Sequence, residues 1–137
     1  MPDFKPELSG KSQYWISKHR YYELKHYCLQ YPEWKKLRDS LDIKMEAMKL
    51  GNVHGTEPSD PTAKLAQMRV DLDRAIDRLL QISFEASEEL GGFIFMAVTE
   101  GLSFTQLKTV YNIPCGKDMY YDSYRKFFWM LSQSKGI

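Results

Sequence analysis

Gly101-Leu102-Ser103-Phe104-Thr105-Gln106-Leu107-Lys108, then Tyr111-Asn112-Ile113-Pro114-Cys115-Gly116-Lys117, then Tyr120-Tyr121 and Tyr124-Arg125-Lys126-Phe127-Phe128-Trp129 read as a short helix, a tight turn and a longer helix. Ser103 has the side chain of a helix cap. Behind it Phe104, Leu107 and Val110 fall on an inward face, which leaves Gln106, Lys108 and Thr109 outside. Asn112 to Gly116 forms a turn with Ile113 as its buried anchor, and two helix breakers flank Cys115, so the chain must reverse there. Advancing about 100° per residue from Lys117 gathers Met119, Tyr120, Ser123, Phe127, Met130 and Leu131 on one side. Asp118, Tyr121, Asp122, Arg125 and Trp129 gather on the other.

Working outward, Glu88 to Glu100 places Leu90, Phe93, Ile94, Ala97 and Val98 on one helical face, with Gly101 as its C-terminal cap. Gly91 and Gly92 weaken such a helix, so close approach of another backbone is expected there. Upstream, Asp60-Pro61 is a strong helix start, because a proline in the first turn gives up no hydrogen bond. Leu65, Met68, Leu72, Ala75 and Leu79 then recur at alternating three- and four-residue steps, and Ile76, Leu80 and Ile82 widen the stripe. The spacing predicts a helix of about six turns up to the segment Ser83 to Ser87. Its seam suits either a second copy of the chain, through Leu65, Met68, Leu72 and Leu79, or the chain's own N-terminal helices. Arg69, Asp73, Asp77, Arg74 and Arg78 form pairs three and four apart that solvate its flanks.

Further upstream, Gly51 to Ser59 has connector composition. Before it, Gln13 to Leu29 reads as a helix, with Ser12 as an available cap and Tyr14, Tyr21, Leu24 and Cys28 as its apolar positions. Tyr31-Pro32 interrupts it and opens a second helix through Trp34, Leu37, Leu41, Met45 and Met48. The expected fold is all-α: an N-terminal helical hairpin over residues 1–50, a linker over 51–59, and a unit over 60–137 made of the long connecting helix and the helix-turn-helix.

Composition narrows the function classes. Of 137 residues, 19 are Lys or Arg and 18 Asp or Glu, for a net charge of +1, whereas a duplex binder usually carries a clear positive excess. The basic excess lies in residues 1–50, where Lys18, Arg20 and Lys25 alternate with Tyr14, Trp15, Tyr21, Tyr22 and Tyr27. That alternation fits a helix with an aromatic core face and a solvated basic face, or a set of accessory phosphate contacts. No apolar run approaches the roughly 20 residues of a membrane span, and Met1 to Ser12 lacks the apolar stretch of a signal peptide, so a cytoplasmic location is expected. Cys28 and Cys115 have neither the number nor the spacing of a disulfide framework. His19, His26 and His54 lack metal-ligand spacing, and no phosphate-cradling loop or nucleophile elbow is present. No catalytic residue, metal or cofactor is therefore expected, and the chain does not read as an enzyme.

Glu100-Gly101-Leu102-Ser103, Leu107 and Tyr111-Asn112-Ile113 resemble the region 4 helix-turn-helix of bacterial sigma factors. Residues 60 to 131 more closely resemble phage late-gene transcription activators of the RinA and ArpU type, through the helix start Asp60-Pro61-Thr62-Ala63, the long helix and the block Tyr124 to Leu131. Tyr31-Pro32-Glu33-Trp34 is similar to segments of such phage proteins. The resemblance implies a phage or prophage source, a bacterial host cytoplasm, and sequence-specific binding of promoter DNA to activate late or packaging genes.

Base reading is then expected from the first two turns of the last helix, by Lys117, Asp118, Tyr121, Asp122 and Arg125, with Gln106 beside them. Lys117, Arg125, Lys126 and Lys108 are the expected phosphate contacts, with Lys18, Arg20 and Lys25 as accessories. Two carboxylates on a DNA-facing surface are repelled by phosphate unless they accept from cytosine N4. A second reading is accordingly a protein-interaction module that binds host RNA polymerase, or another host protein, without reading DNA. A small terminase subunit is the third.

Overall fold

The computed structural model describes residues 13–51 and 60–134, and all regular structure among them is helical. The helices are α1 (Lys18–Cys28), α2 (Tyr31–Gly51), α3 (Asp60–Ala86), α4 (Gly91–Glu100), α5 (Phe104–Thr109) and α6 (Lys117–Ser134). The all-α expectation holds. None of these helices is long and apolar enough to cross a membrane.

α1 starts later than its sequence suggests. Ser12 lies outside the described residues, and the cap is Ser17, whose hydroxyl accepts from the Arg20 amide at 3.3 Å. Tyr21, Leu24 and Cys28 form its buried stripe. After Leu29 and Gln30 the chain enters α2, with Pro32 in its first turn as expected. Tyr27 and Trp34 meet edge to face at 5.1 Å across this connection. Beyond it both helices touch α4, but their main partners differ: α1 lies on α6, while α2 runs along α3.

The α2–α3 pairing uses the seam on α3. Leu41 of α2 is buried, Leu65 and Leu72 are half-buried, and Thr62 donates its hydroxyl to Met48 Sδ at 3.6 Å. Leu79 is 1% exposed within the chain's own core, so it cannot serve a dimer seam; of the four positions expected there, only Met68 stays well exposed. The charges on α3 also do more than solvate it. Arg69 pairs with Asp42 of α2 at 2.7 Å and with Asp73 one turn away, and Arg38 of α2 reaches Asp73 at 3.5 Å.

α3 continues to Ala86, into the expected break at Ser83 to Ser87, and the buried Ser83 hydroxyl is satisfied within the helix by donating to the Leu79 carbonyl at 2.8 Å. The turn comes later, where Ser87 Oγ accepts from the Leu90 amide at 3.1 Å, and α4 begins at Gly91. A Cβ on Gly91 would stand 2.5 Å from the Phe84 ring and 2.9 Å from the Phe84 Cα, the close approach expected for this glycine. Gly92 faces open space, so it has no such reason.

One buried cluster joins Tyr21, Leu24 and Cys28 of α1 to Leu79 and Ile82 of α3, Ile94 of α4, Leu107 of α5 and Phe127, Phe128 and Leu131 of α6. It therefore draws on residues from both sides of segment 51–59. Of that expected linker, Gly51 is the last residue of α2 and the remainder lies outside the described residues.

Candidate nucleic-acid interface

The α4–α6 region is assembled from local signals that reinforce one another. Gly101 takes φ 72°, a left-handed conformation that costs a residue with a Cβ, and its amide closes α4 on the Ala97 carbonyl at 2.9 Å. Ser103 then caps α5 reciprocally: its hydroxyl accepts from the Gln106 amide at 3.1 Å, while Gln106 Oε1 accepts from the Ser103 amide at 2.8 Å. Such a cap is worth about 1 kcal/mol, a large share for a helix of six residues.

The turn that follows is pinned at three points. Asn112 adopts φ 53°, which asparagine tolerates better than most residues. Ile113 is buried, and its amide donates to the Leu107 carbonyl at 3.1 Å. The Lys108 ammonium donates to the carbonyls of Ile113 and Cys115, both at 3.3 Å. Burial pushes the Cys115 thiol up, and Lys108 partly opposes this.

α6 is held on two flanks, by α3 and by α1. Tyr120, Phe127 and Leu131 are buried as expected, and Phe104 packs on the Tyr120 ring at 5.4 Å. Phe128 and Ser132 are also buried, which a single inner face does not predict. The cause is α1: Tyr21 meets the Phe128 ring edge to face at 5.1 Å, and Arg20 reaches Ser132. Met119 and Val110, both expected inside, are 48% and 65% exposed at the start of α6 and just after α5. Trp129 is half-buried beside Tyr14, with ring centroids 5.7 Å apart.

The expected contact residues divide into two groups. Lys117, Asp118 and Asp122 are exposed in the first two turns of α6, Lys126 is half-buried one turn on, and Lys18 is exposed on α1. Several others are already engaged within the chain. Gln106 has its carbonyl oxygen in the α5 cap, and Lys108 has its ammonium in the turn. Arg20 is committed to Ser132 and Glu23. Lys25 sits over the rings of Tyr21 and Tyr22, at 5.9 and 5.8 Å from their centroids. Arg125 pairs with Asp122 at 3.2 Å. Tyr121 is half-buried against Phe104, Tyr120 and Tyr124, and burial pushes its hydroxyl up while Arg125 partly opposes this. Arg20 is largely spent on these partners, while Gln106 and Lys108 remain exposed and each keeps a donor beyond the bonds named. Helical periodicity marks such residues as outward, but whether an outward cation is spent on a neighbour depends on the elements packed beside it.

An exposed apolar group lies alongside. Val110, Tyr111 and Met119 surround the turn between α5 and α6 and were not expected as a surface. Among the described residues no three His, Cys, Asp or Glu side chains are grouped to hold a metal ion. Compared with protein-family models, curated proteins and solved structures, the chain matches none.

Proposed function

We propose that this chain is a phage-encoded transcription regulator of the bacterial cytoplasm that sets the first two turns of α6 in the major groove of promoter DNA and activates late or packaging genes. The observation that carries the reading is the division of α6 into two sides: Tyr120 and Phe127 are buried, while Lys117, Asp118 and Asp122 stand exposed at the end that enters the groove in a helix-turn-helix. The resemblance of residues 60 to 131 to late-gene activators supports the same reading. Lys117, Lys126 and the remaining donor of the exposed Lys108 are the cations proposed for phosphate, whereas Lys18 lies toward the far end of α6, where Arg20 meets Ser132. Three contacts give a salt slope of about −2.7, so one copy binds weakly and a second copy or polymerase supplies the remaining affinity. A shift assay on the phage's late promoter against scrambled DNA, across a salt series, tests this. Preference for the promoter at every salt concentration is expected, and equal affinity for both DNAs would end the reading.

The exposed Val110, Tyr111 and Met119 favour a second reading, in which the same corner docks on RNA polymerase, since apolar and aromatic anchors dominate interfaces. Nuclease-treated pull-down with purified polymerase separates the two. Recovery that is lost in a Tyr111→Ala, Met119→Ala double variant supports docking, and absence of recovery removes it.

A further inference from the structure

Where α1 crosses the corner between α4 and α5 and the start of α6, it leaves a cleft of about 220 Å³. Tyr22 and Lys25 come from α1, Ser103 and Phe104 from the corner, and Tyr120 and Tyr121 from α6. A cavity of about 150 Å³ is enough to hold benzene, so this one admits one ring with a substituent.

Two of its polar groups stand out. Tyr120 is 1% exposed, yet its hydroxyl makes no hydrogen bond among the described residues. Burial pushes that hydroxyl up, so it is a neutral donor and acceptor at any ordinary pH. The hydroxyl oxygen is not shut off from solvent, so it is open to accept or donate a hydrogen bond to a ligand in the cleft. At the rim the Lys25 ammonium is held over two tyrosine rings and forms no ion pair among the described residues. Aromatic walls, the Tyr120 hydroxyl and the Lys25 cation together favour a planar ring carrying a negative group.

We propose that this cleft binds a small planar aromatic anion, with its ring against the tyrosines, a polar edge at the Tyr120 hydroxyl and its negative group on Lys25. Two kinds of compound share that chemistry, aromatic carboxylic acids and aryl phosphate monoesters. Because Tyr121 borders both the cleft and the face of α6 assigned to DNA, occupancy bears on DNA binding if the proposed function holds; the binding itself does not depend on that function.

Titration calorimetry and amide spectra of the full chain test it with three probes: salicylate, 4-nitrophenyl phosphate and the uncharged benzyl alcohol. Saturable binding of one of the two anions is expected, with shifts centred on Tyr22, Lys25, Ser103 and Tyr120; whichever binds tighter identifies the source. Lys25→Gln, a change at the rim that leaves the core intact, should weaken the anion by about five- to tenfold and leave benzyl alcohol unaffected. Tyr120→Phe removes only the hydroxyl and should weaken the same anion by a similar factor. No saturable binding of either anion, shifts centred elsewhere, or affinity unchanged in both variants would overturn the proposal. Retained ligand binding alongside a failed promoter assay would leave the cleft standing and remove only the DNA-linked role.

Discussion

Arg20 donates from Nε to the Ser132 hydroxyl at 3.0 Å and from Nη2 to the Ser132 carbonyl at 3.2 Å, joining residues 112 positions apart in the chain. The guanidinium side chain is 12% exposed and Ser132 is 7% exposed, so the contact is largely shielded from water. It fastens the first described helix to the last.

Hydrogen bonds to a charged group contribute about 1.5 to 3 kcal/mol when one partner is removed. Arg20→Ala should therefore lower stability in urea unfolding by about that amount. Ser132→Ala should cost less, about 1 kcal/mol, because the carbonyl partner survives. Equal stability of Arg20→Ala and the parent chain would show that α1 is held by its apolar face alone.

The two adjacent glycines of α4 should respond in opposite directions. Gly91→Ala places a methyl 2.5 Å from the Phe84 ring and 2.9 Å from its Cα, so α3 and α4 must part. A loss of about 1 to 3 kcal/mol is expected from such overpacking. Gly92→Ala meets nothing within 4 Å and should stabilise by up to about 1 kcal/mol through helix propensity. Thermal unfolding of the two variants checks the sign of each.

The buried tyrosines tie stability to alkaline pH. Burial pushes the Tyr21 hydroxyl up to about 12 from an ordinary 10.0, although its hydrogen bond with Tyr124, 2.8 Å between oxygens, pulls the other way. Tyr120 and Tyr124 are raised further, again chiefly by burial. A group whose value is raised on folding contributes stability that is complete below its unfolded value and is lost as pH climbs to the folded one. The unfolding midpoint should hold up to about pH 10 and fall steadily between there and pH 12. Tyr21→Phe should flatten part of that fall, as read by denaturant titration at each pH.

Asp118 tests the DNA-facing role proposed for α6. It is exposed in the first turn, where its carboxylate repels phosphate. Asp118→Asn should tighten binding to scrambled DNA in a shift assay. If Asp118 also accepts from a cytosine amino group, the variant should lose about 1 to 3 kcal/mol of discrimination at one base pair. Unchanged binding to both DNAs would place Asp118 away from the interface.

Local signals were enough to read α2, the start of α3, the Gly101 cap, the Ser103 cap of α5, the Ile113 anchor and the Tyr120, Phe127 and Leu131 stripe of α6. Each depends on residues within a few positions of one another, through a capping side chain, a left-handed glycine or a 3.6-residue period, and the sequence alone determines those. Only the tertiary structure decided what lies beside each helix. α1 comes to rest on α6, which buries Phe128 and Ser132, commits Arg20, and makes the tyrosine cleft from residues about a hundred positions apart. α2 comes to rest on α3, which takes up the seam that otherwise suits a second copy of the chain. The reason is physical: an amphipathic face states that it will be buried, but the hydrophobic effect is non-directional and does not say against what. That choice, made by packing across the whole chain, also decided which outward cations remain on offer to a ligand.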